Sequence, residues 1–143
     1  MNDSKTITRP AAHFSLALLH AAQNVGDRLE GALNELGLSM AKQSALTQLA
    51  EAGEPLTLSE LASRLSCVRS NITQLVDRLE GDGLVRRVDD PQDRRSVRAE
   101  LTQVGMEKQR AGARAMASVQ DELSKLLSGT DMSALEIALE AFG

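Results

Sequence analysis

Arg69, Ser70, Asn71, Thr73, Gln74 and Arg78 lie opposite an apolar stripe of Ile72, Leu75, Val76 and Leu79. The stripe has helical spacing, so the polar set forms one face of a helix. These side-chain types suit the edges of bases. Asn and Gln can bond adenine bidentately, Arg can bond guanine, and Ser or Thr can donate or accept. A second cluster, Arg86, Arg87, Arg94, Arg95 and Arg98, follows at once, with Gln92 among its members and no Lys. Arg is the residue for planar, bidentate contact with phosphate or a base edge. A narrow minor groove concentrates negative potential and attracts an inserted Arg. Arg94 is the first candidate for that role. Arg86, Arg87 and Arg98 suit phosphate contacts, and Arg95 suits a pair with Asp93 that stiffens the loop. Asp89, Asp90 and Asp93 lie among these arginines. A structural ion pair therefore stays open for each of them, and so does a solvated charged hairpin.

These groups need elements to hold them. Leu58, Leu61, Ala62 and Leu65 make a narrow stripe after Thr57, which predicts a short helix. A break at Ser66-Cys67-Val68 separates it from a helix over about 69–82, which ends at Gly83. The period then changes from 3.6 to 2. Leu84–Val88 predicts a strand, residues 89–95 a turn, and Val97, Ala99 and Leu101 a returning strand. Before this lie a helix from about 11 to 35, ended by Gly37, and a second over 40–52 capped by Ser39. After it lie a long helix to about Leu127 and a last one capped by Asp131. The fold class is mainly α with a small β-hairpin: a winged helix-turn-helix flanked by N- and C-terminal helices. The divisions are a flexible tail at 1–10, an N-terminal helix at 11–36, a winged helix-turn-helix unit at 37–102 and C-terminal helices at 103–143, the flanking helices being the candidate dimerisation arms.

The charge balance looks at first unfavourable for nucleic acid. The 143 residues carry a formal net charge of −4. Residues 55–102 nonetheless hold eight Arg against eight acids, while each flank has four basic residues against six acids. The acid excess thus lies in the arms, and a local basic surface survives it. One Cys excludes an intrachain disulfide framework and a Cys-based zinc site. Lys5 and Arg9 ahead of a short apolar run loosely imitate a secretory signal. Two His interrupt that run and its periodicity continues, so an amphipathic helix is the better reading. No apolar run is long enough for a membrane span.

Three segments carry a family resemblance. They are Leu58-Ser59-Glu60-Leu61-Ala62, then Asn71 to Glu80 with Gly83-Leu84-Val85, then Asp90-Pro91-Gln92-Asp93-Arg94-Arg95 with Leu101-Thr102. Together they resemble the multiple antibiotic resistance regulator (MarR) family of winged-helix transcription factors. Asp93-x-Arg95 followed by Leu101-Thr102 is the most specific part. The resemblance implies a homodimer joined by its first and last helices, with wings reaching adjacent minor grooves. It departs from the family at Val68, where the recognition helix usually has a Ser or Thr cap. Losing that cap costs about 1 kcal/mol unless Ser66 or Ser70 replaces it.

Cys67, in the turn, is either a small packed hydrophobe or a redox switch whose thiol pKa the helix end and Arg69 would lower. His13 and His20, seven residues apart, are separated by about 10 Å and cannot chelate one ion alone. They are surface or interface residues, or they line an effector cleft where the family binds small anionic or phenolic molecules. No nucleophile–base pair, Gly-rich phosphate loop or metal spacing points to an enzyme, a cofactor or a metal. The leading expectation is a cytoplasmic, homodimeric repressor on a pseudopalindromic operator in double-stranded DNA, released by a small molecule or an oxidant. The alternative is a winged-helix protein-interaction module without DNA binding.

Overall fold

The computed structural model describes residues 13–66 and 69–143, excepting the side chains of Arg69 and Ser70. The expected tail at 1–10, the first two residues of the expected first helix, the Val68 cap position and Cys67 lie outside the described residues. The chain runs α1 (Phe14–Asn34), α2 (Met40–Ala52), β1 (Leu56–Thr57), α3 (Leu58–Arg64) and α4 (Arg69–Gly81). It continues through β2 (Val85–Asp90), β3 (Asp93–Leu101), α5 (Gln103–Leu126) and α6 (Met132–Glu140). The architecture is a winged helix-turn-helix flanked by helices at both ends.

Local chemistry explains most of the boundaries. The Ser39 hydroxyl accepts from the Lys42 N–H and starts α2, and Gly53, at φ 69°, ends it. The Asp131 carboxylate accepts from the Ala134 N–H and starts α6. α3 is too short to be stable alone and begins in a full capping box. Its Thr57 hydroxyl accepts from the Glu60 N–H, and the Glu60 carboxylate accepts from the Thr57 N–H.

The core lies under the helix-turn-helix. Leu33 of α1, Leu46 of α2, Leu61 of α3 and Ile72, Val76 and Leu79 of α4 have no exposed surface. Each such side chain contributes about 1.5–3 kcal/mol by leaving water. The stripe that the periodicity marks on α4 is therefore what docks that helix and turns its other face outward.

The sheet has the order β1-β3-β2, all antiparallel. β1 pairs Leu56 with Ala99 and Thr57 with Arg98. The wing is longer and its turn tighter than the sequence predicts. β2 continues to Asp90 and β3 starts at Asp93, leaving Pro91 and Gln92 as the tip. The Asp90 carboxylate accepts from the Gln92 N–H at 3.0 Å, so the turn closes on its own side chain and pairing reaches that point.

Two glycines permit close approaches. At Gly105, in the first turn of α5, a Cβ would stand 1.9 Å from the Leu84 carbonyl oxygen at the wing root. At Gly112 a Cβ would stand 2.1 Å from Gln43 Oε1, on a buried side chain that donates to the Gln109 carbonyl at 3.0 Å. These contacts seat α5 against both the wing root and α2.

Candidate nucleic-acid interface

α4 presents its polar face to solvent. Asn71, Thr73, Gln74 and Arg78 are exposed, while Ile72, Val76 and Leu79 are buried. The backbone of Arg69 and Ser70 forms the first turn of the helix. α4 closes with hydrogen bonds from the Gly83 N–H to the Glu80 carbonyl and from the Leu84 N–H to the Leu79 carbonyl. Gly83, at φ 76°, supplies the left-handed step that this closure requires. The wing therefore leaves directly from the end of the polar helix.

The arginines of the hairpin divide by position. At the root, Arg87 reaches back to α4, where its guanidinium meets Asp77 at 2.5 Å and Glu80 at 2.6 Å. The Glu80 carboxylate also accepts from the Arg87 N–H at 3.2 Å. The Asp77 hydrogen bond raises the Arg87 pKa further, so the guanidinium stays charged at any working pH. Arg86 pairs with Glu100 on the neighbouring strand. Arg98 lies among Pro55, Glu60 and Asp90. The sequence leaves phosphate contact and structural ion pairing open for these three, and the structure gives each a carboxylate partner.

At the tip the pattern is different. Pro91, Gln92, Asp93, Arg94 and Arg95 are all exposed. Among the described residues, neither Arg94 nor Arg95 has an ion-pair partner. The expected Arg95–Asp93 pair takes another form, with the Asp93 carboxylate accepting from the Arg95 backbone N–H at 2.9 Å. The Arg95 guanidinium is left unengaged among the described residues, and Asp93 stiffens the loop through the main chain.

Asp90, 8% exposed, is the most buried acid of the wing. The Gln92 N–H, and behind it Arg98, hold its carboxyl below the usual carboxylate range against the cost of burial. It serves the turn and is unavailable to a ligand.

His13 and His20 are both exposed near the start of α1. A cleft of about 580 Å³ opens elsewhere, between α1 and α5, and neither histidine lines it. It is lined by Arg28, Glu35, Arg114 and Glu122 with Gly31, Ala32 and Ala115, and Arg28 pairs with Glu122 at 3.6 Å. The sequence does not reveal this cleft, because Arg28 and Arg114 come to line one space only when α1 and α5 pack. Beside the start of α1, Phe14, Leu18, Leu19, Leu139 and Phe142 line an apolar hollow between α1 and α6. Phe14 is 55% exposed, Ile137 68% and Phe142 67%. Among the described residues no group of His, Cys, Asp and Glu could hold a metal ion. None of the described helices is long and apolar enough to cross a membrane.

Comparison with known proteins agrees with this geometry. The MarR family profile matches residues 38–97, from the residue before the Ser39 cap to the middle of β3. The HTH-type transcriptional regulator PrsX of Escherichia coli is 34% identical over 89 residues, 62% of this chain and 54% of PrsX. The chain spans about half the length of the curated relatives it matches. Among solved structures, the transcriptional repressor CouR bound to a 23-mer DNA duplex superposes with a TM-score of 0.80 at 29% identity, covering 92% of this chain and 95% of CouR. AbsC, a MarR family transcriptional regulator from Streptomyces coelicolor, superposes with a TM-score of 0.77 at 28% identity, covering 99% and 93%.

Proposed function

We propose that this chain, which resembles MarR family regulators over its central part, is a sequence-specific DNA-binding transcriptional regulator that works in the cytoplasm as a homodimeric repressor. The observation that carries this reading is the junction of α4 and the wing. A polar helix face and an exposed Arg94 with no ion-pair partner among the described residues belong to one unit, joined by Gly83 and by the pairs of Arg87 with Asp77 and Glu80.

In this reading Asn71, Thr73, Gln74 and Arg78, with Arg69 and Ser70, read base edges in the major groove. Arg94 enters the minor groove, while Gln92 and Arg95 flank it on the backbone. The units are those of the sequence division, with residues 37–102 on DNA and the arms at 11–36 and 103–143 making the dimer. The exposed apolar surface of α1 and α6 supports that pairing, because a monomer gains nothing by presenting it to water. A dimer places two recognition helices about 34 Å apart, one DNA turn, on a pseudopalindrome of about 16–20 bp.

Release follows from a shift between two dimer geometries, with an effector acting only through its differential affinity for them. The cleft with Arg28 and Arg114 is the site for a small anionic or phenolic effector. A Cys67 thiol switch is the second route. Peroxide would then lower DNA affinity in the wild type and leave Cys67→Ser unchanged.

The deciding experiment is selection of bound DNA from the source genome, followed by affinity against salt. A steep loss of affinity with salt, with a shallower slope in Arg94→Ala, supports the reading. A flat salt response sinks it and favours a protein-interaction module.

A further inference from the structure

Arg98 sits on β3, the central strand, level with Thr57 of β1 on one side and Val88 of β2 on the other. Its side chain is 24% exposed and touches three separate parts of the fold. Nη1 donates to the Pro55 carbonyl at 3.1 Å, just before β1. The same nitrogen lies 3.8 Å from Glu60, the glutamate of the α3 capping box. Nε lies 3.3 Å from the Asp90 carboxylate, a charge pair rather than a well-aligned hydrogen bond. Asp90 in turn closes the Pro91-Gln92 tip. One guanidinium therefore connects the first helix of the helix-turn-helix to the turn that carries Arg94.

We infer that Arg98, acting with Asp90, is a positioning residue that fixes the tip of the wing against α3 and so sets where Arg94 meets the minor groove. The inference rests on the DNA-binding reading above. An unsupported hairpin would pay its ordering cost on every binding event, and a supported one has paid it in folding. A cation used for phosphate contact belongs at the surface. This one is mostly buried and already faces two carboxylates and a carbonyl.

The test uses the full chain and a labelled duplex that the wild type enriches from a random pool. Two variants separate position from charge. Arg98→Gln removes a cation. Asp90→Asn removes an anion while keeping an oxygen for the Gln92 N–H. Positioning predicts that both weaken binding roughly tenfold, on the scale of one charged hydrogen bond. It also predicts an unchanged salt slope, and faster amide exchange across the β2–β3 hairpin without DNA.

If Arg98→Gln lowers the slope by about 0.9, Arg98 is a phosphate contact and the inference fails. Tighter binding by Asp90→Asn also overturns it, because that is what losing an acid beside DNA does by electrostatics alone. If wild-type binding ignores salt and Arg94→Ala, the DNA reading has failed instead. Hairpin exchange in the two variants then still decides, since unchanged exchange refutes the support itself.

Discussion

The root and the tip of the wing are built from the same residue type and put it to opposite uses. At the root, Arg86, Arg87 and Arg98 are engaged by Glu100, by Asp77 and Glu80, and by Asp90. At the tip, Arg94 and Arg95 are exposed and have no ion-pair partner among the described residues. The difference is one of geometry. Root side chains lie over α4 and the neighbouring strands, where acids are within reach. At the tip the nearby acids, Asp90 and Asp93, bond the main chain of Gln92 and Arg95. A cluster of arginines in sequence is therefore two populations in space, one paired with the acids of the fold and one exposed at the tip.

Substitutions can break or sharpen that contrast. The largest effect belongs to the tip: Arg94→Ala should cost about 2 kcal/mol of DNA affinity, roughly thirtyfold, by titration at fixed salt. Its folding stability should stay within about 0.5 kcal/mol of wild type in urea. Arg87→Ala should reverse the profile, losing about 1–2 kcal/mol of stability because Asp77 and Glu80 are left side by side. Equal destabilisation by both variants would erase the distinction between root and tip.

Asp93→Ala should cost about 1 kcal/mol through the lost bond to the Arg95 N–H, seen as faster exchange of that amide. Arg95→Ala should leave the same amide unchanged, since the bond is to the main chain. The smallest effect is one of pH. Asp90 has a folded pKa below its unfolded one, so its stabilisation is complete above the ordinary carboxylate range. It is lost as pH falls through the folded value. The stability gap between wild type and Asp90→Asn should be widest near neutrality and close in acid.

What could be read in advance was what neighbouring residues decide. Ser39, Thr57 and Asp131 start helices because their own side chains bond the next turn. The stripe of Ile72, Val76 and Leu79 docks α4 because helical spacing puts it on one side. What escaped was non-local. β1 is two residues long and exists only because Ala99 and Arg98 lie across from it. Arg87 meets Asp77 and Glu80 only after Gly83 folds the wing back over α4. The sequence predicts a long turn at the tip because Asp89, Asp90 and Asp93 favour turns. In the structure Asp90 closes a two-residue turn, and Asp89 and Asp93 belong to the strands. The candidate DNA-reading face of α4 was thus visible from its pattern, whereas the division of the arginines was not.

The missing side chain at Gly105 has a mechanical consequence. The first turn of α5 bears directly on the carbonyl of Leu84, with no cushion of side-chain atoms between them. Thr102 rivets the same joint, its hydroxyl donating to the Gly83 carbonyl at 2.7 Å and its N–H to the Leu84 carbonyl at 3.1 Å. α5 is therefore clamped at the shoulder of the wing, and the cleft of Arg28 and Arg114 is lined by the same helix. Helix and wing root share one joint without slack, so a methyl group added by Gly105→Ala has to displace both together.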